Sequence, residues 1–389
     1  MRKFTSILVV LLFLLLATST IIESHSLFPK TKENNYQVLD SISILRSQIL
    51  TRLNNFKNVL KYFSLDAKKD DFSSLFDFIP QDITLKDDAF HGSDLFHYTE
   101  WWYFDAAFND GYSIQLSVRI LDVFYTGIFL VFTRLDIYKD GELVKHNKEI
   151  FDVFSFQASN EEPFVVINKK TAIRGYPGEK EGLFNFYVNL EVGDTAAKLN
   201  FYGLTKGWKG ETPGSKWVVA TPRALVKGWI DLGDNNRKDV EGIGYHDHNY
   251  DVTVLAMLNE GWFWGKINSN NYTITWSNIM TSVLEEQPLA VINSNTGEYI
   301  NIEPENIQFA YDNYTYDNGE YIPTLLRLTA QQDNVSVDVK MEVQGIHFVT
   351  LMGVIKYWRY HVKSVGFIEI NDRNEQIDEM HMAELVNFF

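Results

Sequence analysis

The chain has 389 residues, enough to bury a substantial core, and no cysteine, which excludes disulfides, cysteine nucleophiles and thiolate metal sites. Its formal net charge of −16 argues against nucleic acid and anionic membrane surfaces as partners, because both would repel it. Aromatic residues make up 15%, a bias that favours strands, since flat rings pack well on a pleated surface.

Arg2 and Lys3 precede an almost unbroken apolar run over residues 7–17, and the small residues Ala17 and Ser19 stand at a spacing that suits cleavage. Residues 1–24 are expected to be a signal peptide, or an N-terminal anchor if uncleaved, with the bulk of the chain outside the cytoplasm. Membrane contact is then confined to that segment. Residues 25–74 read as a prefix and linker. Val38, Ile42, Leu45, Ile49, Leu53, Phe56, Leu60 and Phe63 recur at three- and four-residue steps, the period of an amphipathic helix. The acidic net charge favours a helix packed on the main body over one lying on a membrane.

From about residue 99 the period changes to two. Tyr112, Ile114, Leu116, Val118 and Ile120 alternate with Ser113, Gln115, Ser117 and Arg119, as in a half-buried strand. Similar runs cover 128–138, 164–168, 184–192, 197–202, 272–280, 324–328, 335–343 and 367–370, and Lys139-Asp140-Gly141-Glu142 is a turn signal. Short strands between Gly, Asn and Asp turns predict an all-β sandwich or barrel. The length fits a first domain over 75–258 and a second over 259–389, each a closed or nearly closed antiparallel sheet. Asn271, Asn313 and Asn334 open Asn-x-Ser/Thr sequons, which an Asn-rich chain produces by chance.

Three constellations carry chemistry. Residues 97–105 read His-Tyr-Thr-Glu-Trp-Trp-Tyr-Phe-Asp. In a strand Glu100, Trp102 and Phe104 share one face, with Trp101 and Tyr103 on the other. Glu100 between rings on an inward face would serve as an acid or polar anchor; equally, it can pair with Arg119 or Arg134 across the sheet. Residues 240–251 read Val-Glu-Gly-Ile-Gly-Tyr-His-Asp-His-Asn-Tyr-Asp. Here His246 and His248 share a face with Gly244 and Tyr250, while Asp247 faces away. The pair can act in acid–base chemistry, brace two sheets as a buried polar network, or bind a metal. No third protein ligand is visible nearby, so no stoichiometric zinc is expected. Finally, Trp262 and Trp264 share a face in a Gly-bounded strand, and Trp276 and Asn278 follow in the next.

Taken in order, Glu-Trp-Trp-Tyr, then Pro222-Arg-Ala-Leu-Val-Lys-Gly-Trp, then Gly-Ile-Gly-Tyr-His-Asp-His-Asn-Tyr, then Trp-Phe-Trp-Gly resemble the AttH and carotenoid 1,2-hydratase (hydroxyneurosporene synthase) family. Tyr357-Trp-Arg and Glu384 are compatible with that family's end, and the resemblance spans about 94–389. It implies two lipocalin-like β-barrel domains and a hydrophobic ligand, isoprenoid or otherwise lipid-like. Hydratases of carotenoids and of plant defence isoflavonoids, and lipocalin-like Diels–Alderases, belong to the family. A cofactor-free hydratase or cyclase is therefore implied. A non-catalytic carrier of an apolar ligand is the alternative, and a carbohydrate-binding β protein a further one.

In the hydratase reading His248 is the proton donor, tuned by Asp247 or His246, with Glu100 converging on it. Trp102, Tyr250, Trp262, Trp264, Trp276 and Asn278 line the ligand site, rings being suited to a carbocation. The family pattern has Trp where this chain has Tyr250 and a Tyr-x-Asp pair where it has Trp276 and Asn278; an Asn cannot act as an acid. Glu100, His248 and Trp264 are expected around one pocket at the domain junction.

Overall fold

The computed structural model describes residues 78–92, 98–122, 129–212, 215–234, 236–252, 259–281, 286–351 and 355–387. The expected signal segment and helical prefix lie outside the described residues. Within them the chain is built from strands, with short 3₁₀ turns and no α-helix.

A first sheet opens with β1 (Gln81–Asp82), β2 (Tyr98–Phe108), β3 (Tyr112–Asp122), β4 (Phe129–Lys139) and β5 (Glu142–Asp152). It continues through β6 (Phe156–Ala158), β7 (Phe164–Ile167), β8 (Lys170–Pro177), β9 (Phe184–Val192) and β10 (Thr195–Gly203). The strands β11 (Trp208–Thr212), β12 (Ser215–Asp231) and β13 (Arg237–Tyr250) complete it. The order is β5-β4-β3-β2-β13-β12-β10-β9-β8-β7-β6, with β11 on β12 and β1 on β11. This sheet curls into a nearly closed barrel.

The second sheet contains β14 (Asn259–Asn268), β15 (Tyr272–Thr281), β16 (Gln287–Ser294), β17 (Tyr299–Ile302) and β18 (Ile307–Asp317). After these come β19 (Glu320–Gln332), β20 (Val335–Leu351), β21 (Ile355–Ile370) and β22 (Arg373–Asn387). Their order, β17-β16-β15-β14-β22-β21-β20-β19-β18, makes a half-barrel. The expected all-β, lipocalin-like pair of barrels is therefore what forms, the second only half closed.

Local sequence explains much of this. The Lys139–Glu142 turn places Asp140 and Gly141 at φ 52° and 85°, the left-handed pair that a two-residue hairpin requires. At the edge of the first sheet β5 alternates exposed and half-buried residues along its whole length. By contrast β12, which the period of two does not predict, is buried at six successive positions from Trp217 to Pro222. Val218 and Ala220 enter the first barrel's core while Trp217 and Val219 enter a separate cluster shared with the second sheet. With both faces covered there is no apolar–polar alternation to read.

That separate cluster is the important one. Tyr103, Trp208, Trp217 and Tyr245 of the first sheet pack on Trp264, Ile279, Leu289 and Val291 of the second. It is an aromatic-rich layer between the sheets, distinct from the mostly aliphatic core inside each.

Candidate functional site

The strands β2 and β13 lie side by side, with Trp102 opposite His248, Tyr103 opposite Asp247 and Phe104 opposite His246. Alternation then divides the signature residues between two faces. Glu100, Trp102, Phe104, His246, His248 and Tyr250 turn into the first barrel; Tyr103, Asp105, Tyr245 and Asp247 turn toward the second sheet.

On the inner face Glu100 is fully buried. Its Oε1 accepts from His248 Nε2 at 2.8 Å and from the His91 backbone N–H at 3.0 Å, and its Oε2 from the Gly92 N–H at 3.1 Å. Burial alone would raise its pKa. The hydrogen bonds from His248 and His91, with the charge of His248, outweigh that and hold it below the usual carboxylate range. Trp102 stacks on His248, ring centres 4.5 Å apart, and its Nε1 donates to the Asp88 carbonyl at 3.0 Å. Asp88 arrives on a 3₁₀ turn at Leu85–Asp88. One of its oxygens meets His246 Nε2 at 3.1 Å and the other lies 3.5 Å from His248 Nδ1. His246 Nδ1 donates to the Tyr103 carbonyl at 2.8 Å.

Between this group and solvent stands His91. Its ring stacks flat on Tyr250 at 3.5 Å, and its Nδ1 lies 3.7 Å from Glu100 Oε1 with 27% of the side chain exposed. It also borders an open cleft of about 350 Å³ lined by Thr84, Lys86, Asp87, Phe90, Asn160 and Glu161.

On the opposite face Asp247 receives Trp217 Nε1 at 2.9 Å, Tyr245 Oη at 2.8 Å and Asn249 Nδ2 at 3.3 Å. All three donors are neutral. Burial therefore dominates and pushes its carboxyl up to about 7, against the lowering effect of Trp217 and Tyr245. Tyr103 and Tyr245 both pack on Trp264, at 5.4 and 5.1 Å. Beside them Lys266 is ion-paired to both oxygens of Asp105. Burial still raises Asp105, outweighing the Lys266 charge. Further along, Arg359 binds Glu384 at 2.6 Å and lies 3.5 Å from Asp136, which also meets Arg134 and His146.

The structure thus brings together Glu100, His246, His248, Trp102 and Tyr250, but not with Trp264. The expected single pocket of Glu100, His248 and Trp264 does not form, because adjacent strand residues point to opposite sides of one sheet. Asp247 instead shares a face with Trp264, and Trp262 packs at the margin of the same aromatic layer. Trp276 lies in the second sheet's core beside Phe309, and Asn278 donates to Glu286 at 2.6 Å and Tyr311 at 2.7 Å. Neither is part of either group. Arg119 sits over Trp101 and Arg134 pairs with Asp136, so neither meets Glu100. Among the described residues the pair His246 and His248 does not share a third metal ligand. His248 stands instead with His91 and Glu100, their donor atoms within 4.8 Å of one another, and His246 is outside that group. Asp88, His91, Asp105, Lys266 and Arg359 go unread in the sequence. For Lys266 the signal is there: it is the next residue after Trp262 and Trp264 on a period of two.

No family model matches the chain. A curated hydroxyneurosporene dehydrogenase from Chlorobaculum tepidum is 28% identical over 82 residues, covering 20% of this chain and 22% of that protein. The match therefore spans less than a quarter of that relative. An AttH candidate from Nitrosomonas europaea superposes with a TM-score of 0.60 at 14% identity, over 79% of this chain and 98% of that one. CghA, solved with Sch210972, gives 0.52 at 10% identity, over 75% and 89% of the two chains. Kievitone hydratase from Nectria haematococca gives 0.51 at 10% identity, over 74% and 88%. At these identities the likeness is one of fold, that of the lipocalin-like AttH and hydratase structures.

Proposed function

We propose that this chain is an exported enzyme that seats an apolar, alkene-bearing small molecule against the aromatic layer between its sheets. There it adds water to the alkene, or closes a ring through it, without a redox cofactor. The observation that carries the reading is the setting of Asp247: a buried carboxyl with only neutral hydrogen-bond donors, beside the rings of Tyr103, Tyr245 and Trp264. Support for export comes from the basic and apolar residues at the N-terminus.

The protonated carboxyl of Asp247 gives its proton to one alkene carbon, leaving a cation on the other. The surrounding ring faces stabilise that cation by about 0.5–2 kcal/mol each. Water adds to it and returns a proton to the Asp247 carboxylate, so acid and base are one residue. In cyclisation a second alkene of the substrate attacks the cation in place of water, and the cation this leaves loses a proton to the Asp247 carboxylate to form a new double bond. His248 cannot serve a substrate on this face, because it is engaged by Glu100 on the other.

The test is to identify small molecules that co-purify with the protein by mass spectrometry, then incubate related polyenes with it in ¹⁸O-labelled water. A product carrying the label, or an isomeric cyclic product, is expected; Asp247→Asn should abolish it and leave ligand binding intact. Ligands that bind and are recovered unchanged from the wild-type protein would overturn the enzymatic reading and leave a carrier.

A further inference from the structure

We propose that His91, Glu100 and His248 form a binding site for a divalent transition-metal ion, zinc by the chemistry of its donors, at the mouth of the first barrel. This site lies on the opposite face of β2 and β13 from Asp247 and does not depend on the reaction proposed there.

The donor atoms of the three residues all lie within 4.8 Å of one another. Two imidazole nitrogens and one carboxylate oxygen are the donor set of many catalytic zinc sites, which keep a further position open. Here the open side is that of His91, the partly exposed member, facing the cleft beside Thr84 and Phe90. An all-oxygen site would suit magnesium or calcium; nitrogen donors select against both.

A second observation points the same way. The Nδ1 of His248 and the Oδ1 of Asp88 are buried, and neither has a hydrogen-bond partner among the described residues. They face each other at 3.5 Å. A histidine that binds metal through one nitrogen characteristically directs the other N–H at a carboxylate, which fixes the ring and raises its basicity. Asp88 stands where that carboxylate belongs, and His246 holds its second oxygen. Aromatic stacking orients both ligand rings, His248 on Trp102 and His91 on Tyr250.

Charge distinguishes this trio from the one other such group among the described residues, Asp136 with His146 and His347. There Arg134 and Arg359 already lie against Asp136 and would repel a cation. Around Glu100 and Asp88, by contrast, no Lys or Arg is ion-paired to either carboxylate among the described residues. Metal ligation requires the imidazoles neutral, and the two buried carboxylates, with no Lys or Arg against them, then offer negative charge to a divalent cation.

The experiment uses the untagged full chain, stripped with chelator and titrated with Co²⁺ under visible spectroscopy and with Zn²⁺ in competition with a chromophoric chelator. One equivalent is expected, with a cobalt spectrum typical of nitrogen and oxygen ligation. His91→Ala, at a partly exposed position, and Glu100→Gln should each weaken binding by more than about 100-fold, and Asp88→Asn by about 10–100-fold as an outer partner. His347→Ala, in the other trio, should leave binding unchanged. Absence of stoichiometric binding, binding that survives both His91→Ala and Glu100→Gln, or binding lost on His347→Ala would overturn the proposal. Asp247→Asn should still take up one equivalent, so failure of the hydratase reading and failure of this one are separable.

Discussion

Glu100 and Asp247 stand on neighbouring strands, both buried, and their surroundings drive them in opposite directions. Glu100 is met by an imidazole and backbone N–H groups and is held as a carboxylate. Asp247 is met by an indole, a phenol and a carboxamide, and burial lifts it to about 7. Depth alone decides neither. A buried carboxyl is set by whether its donors carry charge and by how many backbone amides converge on it. One sheet can therefore present a fixed anion on one face and a transferable proton on the other.

The comparison can be broken experimentally, the largest effect being catalytic. If Asp247 is the proton donor, Asp247→Asn should lower turnover about 10²–10⁴-fold, the usual contribution of a positioned acid. Its stability should stay within about 1 kcal/mol of wild type, since its donors are neutral and keep an acceptor. Glu100→Ala should instead cost about 3–5 kcal/mol in urea unfolding at neutral pH, because it leaves His248 and two backbone N–H groups facing a void. Equal losses from the two substitutions would erase the distinction between the faces.

A smaller effect is read by pH, at a histidine that meets the first sheet from the second. His361, between the sheets, hydrogen-bonds Ser113 at 2.9 Å, and burial lowers its pKa from 6.5 to about 3. The unfolded chain thus binds a proton below 6.5 that the folded chain refuses until about 3. Its contribution to stability is full above 6.5 and is lost as pH falls toward 3, at up to about 1.4 kcal/mol per unit. His381, lowered to about 3, and His347, lowered to about 4, act in the same direction. His361→Gln should therefore reduce the slope over that window without abolishing it; an unchanged slope would show that His361 does not contribute. The smallest change is expected at the cleft rim, where Lys86 and Glu161 pair at 2.7 Å with side chains 62% and 68% exposed. Lys86→Ala should shift stability by no more than about 0.5 kcal/mol.

The division of faces was legible because period two needs only local sequence: Glu100, Trp102 and Phe104 against Trp101 and Tyr103, His246 and His248 against Asp247. What each face meets was not. Asp88 and His91 sit in a stretch with no periodicity, carried over the barrel end by a 3₁₀ turn. The contact of Arg359 with Asp136 joins strands of different sheets, and no local pattern encodes it. The tryptophans misled for a related reason. Trp264 and Trp276 are equally aromatic, but one fills the layer between the sheets and the other the second sheet's core.

The order of the second sheet has a consequence for synthesis. Its last-made strand, β22, lies at the centre, with Gly265 of β14 paired to Ala383 and Arg359 of β21 to Glu384. Until those residues leave the ribosome, β14 has no partner on that side, and its open edge carries Trp262, Phe263 and Trp264. An unpaired apolar edge is a template for association with other chains. The contacts that complete the sheet also span the longest stretch of sequence within it, which makes them slow to form. The nascent chain is thus most vulnerable to aggregation at the strand that bears the aromatic wall, and remains so until the final strand arrives.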